Sequence, residues 1–175
     1  AVFEGTDALV LGICGGYQLL GRTIQDPVES GRGDVAGLGR LDVDTVFEPT
    51  KLTRQRRGES MGQRATGYEI RHGRVTRRNG SRGWIHLDDC YGREDDGALD
   101  AEARVLGTSL HGLFEQDGFR GAFLTEVGRR AGKTFVPAGV SFVAARDTQF
   151  ERLADLIEAH LDVDAVGALI EGAAA

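Results

Sequence analysis

Residues 9–21 read Leu-Val-Leu-Gly-Ile-Cys-Gly-Gly-Tyr-Gln-Leu-Leu-Gly. The apolar run that ends at Ile13 predicts a buried strand, and Tyr17 begins a helical pattern. A small nucleophile between such a strand and such a helix is typical of a nucleophile elbow, and glycines beside it leave room for the strained turn. The stretch therefore predicts that Cys14 is a catalytic nucleophile and that the amide of Gly15 points at an oxyanion.

A catalytic cysteine needs a base, and the chain contains four histidines. His111 directly follows the apolar segment 104–110, which predicts a short strand, and precedes Gly112, which lets the backbone approach a ligand. Active sites of open α/β sheets collect at the carboxyl ends of strands. His111 is therefore the predicted base, and a structural histidine at the strand end is the alternative. Neighbouring strands and helices account without chemistry for the other three, His72, His86 and His160.

The composition is that of an ordinary soluble globular protein, because 41% of the 175 residues are hydrophobic and 27% are charged. One domain is expected at this length. The net charge of −6 gives no reason to expect a nucleic-acid partner, and no apolar run approaches the ~20 residues of a membrane span. No set of histidines, cysteines and aspartates has the spacing of metal ligands, so no metal is predicted.

The two cysteines, Cys14 and Cys90, stand in contexts too different for a disulfide framework or a zinc pair. A lone cysteine after an apolar run is usually a buried small hydrophobe, which is the alternative for Cys14. Its glycine neighbours favour the nucleophile. A working thiol suits a reducing compartment, so a cytoplasmic location is expected.

Patterning outside the elbow predicts an antiparallel portion added to a parallel sheet. Apolar residues predict a strand at 66–76, and the Asn79-Gly80 turn predicts 84–87 as its hairpin partner. The polar segment 53–63 predicts a mobile loop, and the acidic segment 88–102 predicts an exposed one. Apolar stripes predict helices at 119–131, 150–161 and 165–170.

Five segments, in the right order and over nearly the whole chain, resemble triad-type glutamine amidotransferases. The cysteine motif has the Gly-Gly-Tyr-Gln form, which is similar to the cobyric acid synthase-like branch of that family. The resembling segments are residues 12–21, 37–51, 67–73, 107–114 and 152–162.

This resemblance implies a flavodoxin-like α/β sandwich with a mixed sheet that lacks its first strands. It implies that Cys14 attacks the side-chain amide of glutamine, with His111 as its base, to give a glutamyl thioester and ammonia. In the family, ammonia passes to an ATP-dependent synthetase domain of the same polypeptide, which amidates carboxylates of a corrinoid in cobalamin biosynthesis. ATP and Mg²⁺ are expected in that domain, and no cofactor is expected in this one. The implied substrate-binding residues are Gly15, Gln18, Tyr68 and Glu69.

Two positions depart from the family pattern. Most triad amidotransferases carry a glutamate two residues after the histidine, where this chain has Leu113, so a Cys–His dyad is expected, with Glu115 as a weak substitute. The histidine that usually follows Gly-Tyr-Glu-Ile is replaced by Arg71, and His72 comes one place later. A shift of one residue along a strand moves a side chain to the other face, so no role is assigned to His72.

An elbow strand normally has earlier strands beside it, yet Cys14 lies only 14 residues from the start. Residues 1–175 are therefore expected to be the C-terminal part of a longer synthase, with a partial amidotransferase domain. One oxyanion donor would then lie upstream, and little glutaminase activity is expected of the isolated chain.

Other functions remain open on these residues. An amidotransferase subunit for lipid II amidation shares the cysteine motif, although that group usually has Phe-Glu-Asn-His where this chain has residues 68–71. A cobyrinate a,c-diamide synthase domain usually has glutamate in place of Ile13. A non-catalytic binding module on the same fold and a cysteine hydrolase of another amide are the remaining alternatives.

Overall fold

The computed structural model describes residues 8–78, 81–89 and 92–173. The chain divides into two compact units, Ala1–Pro137 and Ala138–Ala175. The first unit contains strands, two helices and a short 3₁₀ helix at Leu113–Glu115, and the second contains two helices. The strands are β1 Val10–Ile13, β2 Thr23–Asp26, β3 Gly33–Ala36, β4 Val43–Ser60, β5 Gln63–Arg77, β6 Ile85–Asp89, β7 Gly92–Asp96, β8 Ala98–Leu99 and β9 Val105–Thr108. The helices are α1 Gly15–Leu20, α2 Asp117–Arg130, α3 Phe142–His160 and α4 Val163–Ala173.

The smaller sheet has the strand order β1-β9-β8. The strands β1 and β9 are parallel, with Ile13 opposite Thr108, and β8 is antiparallel to β9. Both strands that the sequence predicted, before Cys14 and before His111, are present. Because parallel strands end at the same edge of a sheet, the residues that follow β1 and β9 emerge side by side.

The larger sheet has the order β3-β2-β4-β6-β7, with β5 paired to β4. The strands β4 and β5 form a long antiparallel hairpin whose two-residue turn, Met61-Gly62, has φ values of 55° and 69°. Positive φ at both central residues is the geometry of a tight hairpin turn. The predicted mobile loop at 53–63 is therefore wrong, because most of that segment is strand and the rest is its turn.

The predicted pairing of 84–87 with 66–76 is also wrong. The strand β6 pairs with β4 and β7, while β5 takes its hydrogen bonds from β4. The predicted turn at Asn79-Gly80 lies outside the described residues. The acidic segment 88–102 likewise contains strands β7 and β8, and Ala98 within it is fully buried. The mixed α/β class with mixed sheets is confirmed.

The core of the first unit has two apolar clusters. Helix α2 presents Phe119 and Phe123 to one of them, which confirms its predicted apolar stripe. Helix α1 presents Tyr17 and Leu20 to the other. Residues buried in the first cluster are Ala65, Trp84, Ile85, Leu87, Leu106, Leu110, Leu113, Phe119 and Phe123.

The second unit contains helices α3 and α4, which cover the predicted segments 150–161, except its last residue, and 165–170. Helix α3 begins earlier than predicted, after Ser141, whose hydroxyl accepts a hydrogen bond from the backbone N–H of Ala144. That side-chain cap satisfies one of the amide groups left unpaired at a helix start. Among the described residues, no helix combines the length and the apolar character needed to cross a membrane.

Close contact between α1 and β9 requires a glycine at position 107. A Cβ placed on Gly107 would overlap the ring of Tyr17, which is 2% exposed, and would approach Leu41 Cδ1 to 2.8 Å. We expect Gly107→Ala to lower the free energy of unfolding by about 1–3 kcal/mol, because overpacking a rigid core displaces its side chains. Urea denaturation measures the loss.

Gly16→Ala is the matched control for this prediction, because no heavy atom lies within 4 Å of a Cβ added there. We expect the control to leave stability unchanged or to raise it by up to about 1 kcal/mol, because alanine is the better helix former. Equal losses in the two variants would show that the ring of Tyr17 does not set the spacing between α1 and β9.

Candidate active site

The chain turns sharply at Cys14, between β1 and α1. Its backbone has φ 51° and ψ −110°, a conformation that non-glycine residues rarely adopt and that concentrates at functional sites. Its N–H donates a hydrogen bond to the carbonyl oxygen of Thr108, at 2.8 Å. A Cβ on Gly12 would lie 2.6 Å from Leu20 Cδ1 and 2.7 Å from the carbonyl of Gly16, so only glycine lets α1 fold back this closely. The predicted strand–turn–helix geometry is present.

The imidazole of His111 lies against Tyr68. The two rings stack with centroids 5.1 Å apart, and the two residues exchange backbone hydrogen bonds of 2.9 and 3.0 Å. The following residue, Gly112, has φ 78°, the left-handed conformation that favours glycine. Nε2 of His111 is buried and has no hydrogen-bond partner among the described residues. A buried ring nitrogen without a partner costs about 1–3 kcal/mol, which favours a position held ready for a reacting group.

The parallel pair β1–β9 brings these two residues to one edge of the smaller sheet. Cys14 comes directly after Ile13, and His111 comes three residues after the partner of Ile13, Thr108. The hydrogen bond from Cys14 to Thr108 ties the two strand ends together. The sheet thus places Cys14 and the segment that leads to His111 at the carboxyl edge, where α/β proteins bind their ligands.

Glu69 lies on the opposite face of β5 from its neighbour Tyr68, because side chains alternate along a strand. Its carboxylate is 1% exposed and accepts hydrogen bonds from Arg54 Nε at 2.6 Å and from Arg71 at 2.5 Å. Arg56, also fully buried, approaches it at 3.3 Å. Burial raises the pKa of Glu69, but the hydrogen bonds from Arg54 and Arg71 outweigh it and hold that pKa below its usual value. Both carboxylate oxygens are therefore engaged by guanidinium groups.

This buried arginine cluster was not anticipated from the sequence. Arg54 and Arg56 are two residues apart on β4, and opposite them on β5 are Glu69 and Gly67. Two arginines at positions i and i+2 of a strand lie on the same face. That spacing was the sequence feature that could have indicated the cluster. The polar character of the segment 53–63 instead indicated a loop.

Gln18 is buried where α1 meets β5. Its side-chain amide lies beside Gly73, where a Cβ would approach Gln18 Nε2 to 2.5 Å. Its backbone N–H donates to the carbonyl of Cys14, at 3.1 Å. Gly15, by contrast, is exposed, and no heavy atom lies within 4 Å of a Cβ built there. The substrate-binding roles of Gln18 and Gly15 stay predictions.

Leu113 lies in the position where most triad amidotransferases carry a glutamate. It is 1% exposed and belongs to the apolar cluster around Phe119. A carboxylate in that environment would be buried without water, which is costly. Glu115 is exposed, and its Oε1 would lie 3.5 Å from a Cβ on Gly112. The 3₁₀ helix therefore directs the side chain at position 113 into the core.

Polar contacts account for two other histidines. Nδ1 of His72 lies 2.9 Å from the carbonyl oxygen of Glu48, and Nδ1 of His86 lies 2.6 Å from Asp95 Oδ1. Within residues 8–78, 81–89 and 92–173, no group of three or more histidine, cysteine or acidic side chains is arranged to hold a metal ion.

A polar cavity of about 440 Å³ lies between α1, β5 and the end of β9. Its lining includes Tyr17, Arg71, Arg77, Asp96 and Ser109. Burial raises the pKa of Asp96 above its usual value. Asp96 was missed in the sequence because it lies in the acidic segment predicted to be exposed.

Comparison with known proteins gives a consistent result. The family model described as the CobB/CobQ-like glutamine amidotransferase domain matches residues 3–119. A cobyric acid synthase of Nocardia farcinica is 49% identical over 90% of this chain, and one of Streptomyces coelicolor is 48% identical over 94%. One of Frankia casuarinae is 47% identical over 92%. The matches span only 32%, 30% and 29% of those relatives, respectively.

Proposed function

Because this chain belongs to the CobB/CobQ-like glutamine amidotransferase domain family, we propose that it releases ammonia from glutamine for a cobyric acid synthase. The observation that carries this proposal is the pairing of β1 with β9. It ends the strand before the strained Cys14 and the strand before His111, whose Nε2 has no partner among the described residues, at the same sheet edge. The names of the relatives support the choice of synthase.

The proposed reaction begins with transfer of the thiol proton of Cys14 to Nε2 of His111. The sulfur then attacks the side-chain carbonyl carbon of glutamine, and the backbone N–H of Gly15 stabilises the oxyanion. When the C–N bond breaks, the imidazolium returns its proton to the departing nitrogen, and ammonia leaves. Water, deprotonated by His111, then attacks the glutamyl thioester and releases glutamate and the free thiol.

The remainder of the proposal concerns the longer protein. A synthetase domain on the same polypeptide would hold ATP and Mg²⁺ and would use the ammonia to amidate carboxylates of a corrinoid. Glutamine is then the only substrate that this domain itself binds, at Cys14, Gly15, Gln18 and Tyr68. Glu69 would support that site from the opposite face of β5 to Tyr68, through its contacts with Arg54 and Arg71. The proposed location is the cytoplasm, where the thiol stays reduced.

Covalent labelling with the glutamine analogue diazo-oxo-norleucine tests this function in the natural polypeptide that contains the chain. We expect a single adduct on Cys14, identified by peptide mass spectrometry, and protection by glutamine but not by asparagine. Cys90→Ala is the matched control and should label like the unaltered protein, whereas Cys14→Ala should not label.

Two results would contradict the proposal. Absence of any adduct on Cys14 would favour a non-catalytic binding module. Labelling of Cys14 that glutamine does not slow would indicate a hydrolase that acts on another amide.

A further inference from the structure

Thr108 contacts Cys14 and the residue before His111 through its own polar atoms. Its carbonyl oxygen accepts the hydrogen bond from the N–H of Cys14, at 2.8 Å. Its hydroxyl oxygen accepts one from the N–H of Leu110, the residue before His111, at 3.0 Å. Thr108 therefore fixes the backbone at Cys14 and the backbone at Leu110, which precedes His111.

Asp96, at the end of β7, holds this threonine in place. Its Oδ2 accepts hydrogen bonds from the hydroxyl of Thr108 at 2.5 Å and from the N–H of Ser109 at 3.2 Å. Since the hydroxyl donates its only proton to Asp96, its lone pair is available to Leu110. The carboxylate thereby sets the direction of the hydroxyl as well as the position of the residue after it.

The surroundings of Asp96 suit this role. Thr108 is fully buried and Ser109 is 2% exposed, so little water can replace a lost hydrogen bond. Charged and titratable groups from α1, β4, β5 and its own strand line the polar cavity together with Asp96. They are Tyr17, Arg54, Glu69, Arg71, Arg77, Glu94 and Asp95.

We propose that Asp96 and Thr108 are positioning residues that orient Cys14 and His111 for attack on glutamine. This inference rests on the proposed function. Neither side chain touches the substrate. They act by holding the ends of β1 and β9 in register, and a misplacement of about 1 Å between reacting groups can lower a rate about 10²-fold.

The test measures kcat and KM for glutamate release and the rate of diazo-oxo-norleucine labelling in the natural polypeptide. We expect Asp96→Ala and Thr108→Val each to lower kcat and the labelling rate by about tenfold or more. KM should stay within about twofold, since the binding groups are untouched. The double variant should be no slower than the slower single variant, because both changes break the same network.

Conservative variants separate positioning from a general structural role. Asn at position 96 has an oxygen that can accept both hydrogen bonds, and Ser at position 108 retains the hydroxyl. We expect Asp96→Asn and Thr108→Ser to recover most of the lost rate. Asp95→Asn is the matched control, because the neighbouring carboxylate is bound to His86.

The outcomes are distinguishable from failure of the proposed function. An unaltered protein that neither labels nor releases glutamate overturns both proposals. An active protein in which Thr108→Val stays within twofold of the unaltered kcat overturns the positioning inference alone, as does a double variant whose losses multiply. If Asp96→Ala fails to fold, the comparison of Thr108→Val with Thr108→Ser tests the inference. Equal losses of kcat in those two variants overturn it.

Discussion

Exchange of Cys14 for alanine is expected to lower kcat for glutamate release by at least about 10³-fold in the natural polypeptide, because the proposed thioester forms on its sulfur. His111→Ala is expected to lower it by about 10²–10⁴-fold, the usual contribution of a general acid–base group. A coupled assay for glutamate measures both. The double variant should be no slower than Cys14→Ala, since without the thiol no thioester forms for the imidazole to act on.

His86→Ala is the matched control for the histidine, because its exposed imidazole is bound to Asp95 at 2.6 Å. It should retain the unaltered rate. If His111→Ala were as active as this control, the imidazole beside Tyr68 would be structural, and another group would have to accept the thiol proton.

Exchange of Glu69 for glutamine is expected to destabilise the first unit by about 3–5 kcal/mol, the cost of breaking a buried ion pair by removing one partner. The carboxylate is 1% exposed and is bound by Arg54 and Arg71, with Arg56 at 3.3 Å. Its loss removes the buried carboxylate to which Arg71 and Arg54 donate, although Glu94 still pairs with Arg54 and Arg56. Urea denaturation at neutral pH measures the change in the free energy of unfolding.

The pH dependence of stability gives an independent check on Glu69. Arg54 and Arg71 hold the pKa of Glu69 below its usual value in spite of burial, so the folded state binds the proton more weakly than the unfolded state. The stabilisation is therefore present above the unfolded pKa of about 4.3 and is lost as the pH falls through the folded pKa. Glu69→Gln should lack this part of the acid dependence.

Glu126→Gln is the control, since Glu126 pairs with Arg129 and Arg130 within α2 and its side chain is 25% exposed. Ion pairs of that kind contribute at most about 1 kcal/mol. Similar losses in Glu69→Gln and Glu126→Gln would mean that the arginine cluster contributes nothing beyond an ordinary surface pair.

The parts of the site that could be predicted from sequence depend on local pattern. The elbow at Cys14 follows from an apolar run that meets glycines, and the strand before His111 follows from a short apolar segment. Helix α2 follows from the spacing of Phe119 and Phe123. Each of these signals lies within a dozen residues, where periodicity and turn chemistry are informative.

The β4–β5 hairpin could not be predicted in the same way. On β4 the inward-facing positions 54 and 56 carry arginine, whose partner Glu69 lies 15 and 13 residues further along the chain. Charge pairs therefore replace the apolar alternation by which a strand is recognised. Asp96 is a similar case, because its contact with Thr108 joins residues that are 12 apart in the sequence. That contact lies within a segment whose acidic character predicts exposure.

The backbone bridge between Tyr68 and His111 is one of the places where the two sheets meet. Its two hydrogen bonds and the stacked rings hold the imidazole against the β4–β5 hairpin. A movement of β5 away from the end of β9 would break both hydrogen bonds between Tyr68 and His111. It would also separate the two stacked rings. The proposed base is therefore held in place only while these contacts persist, and slow amide exchange at Tyr68 and His111 is the expected measure of that order.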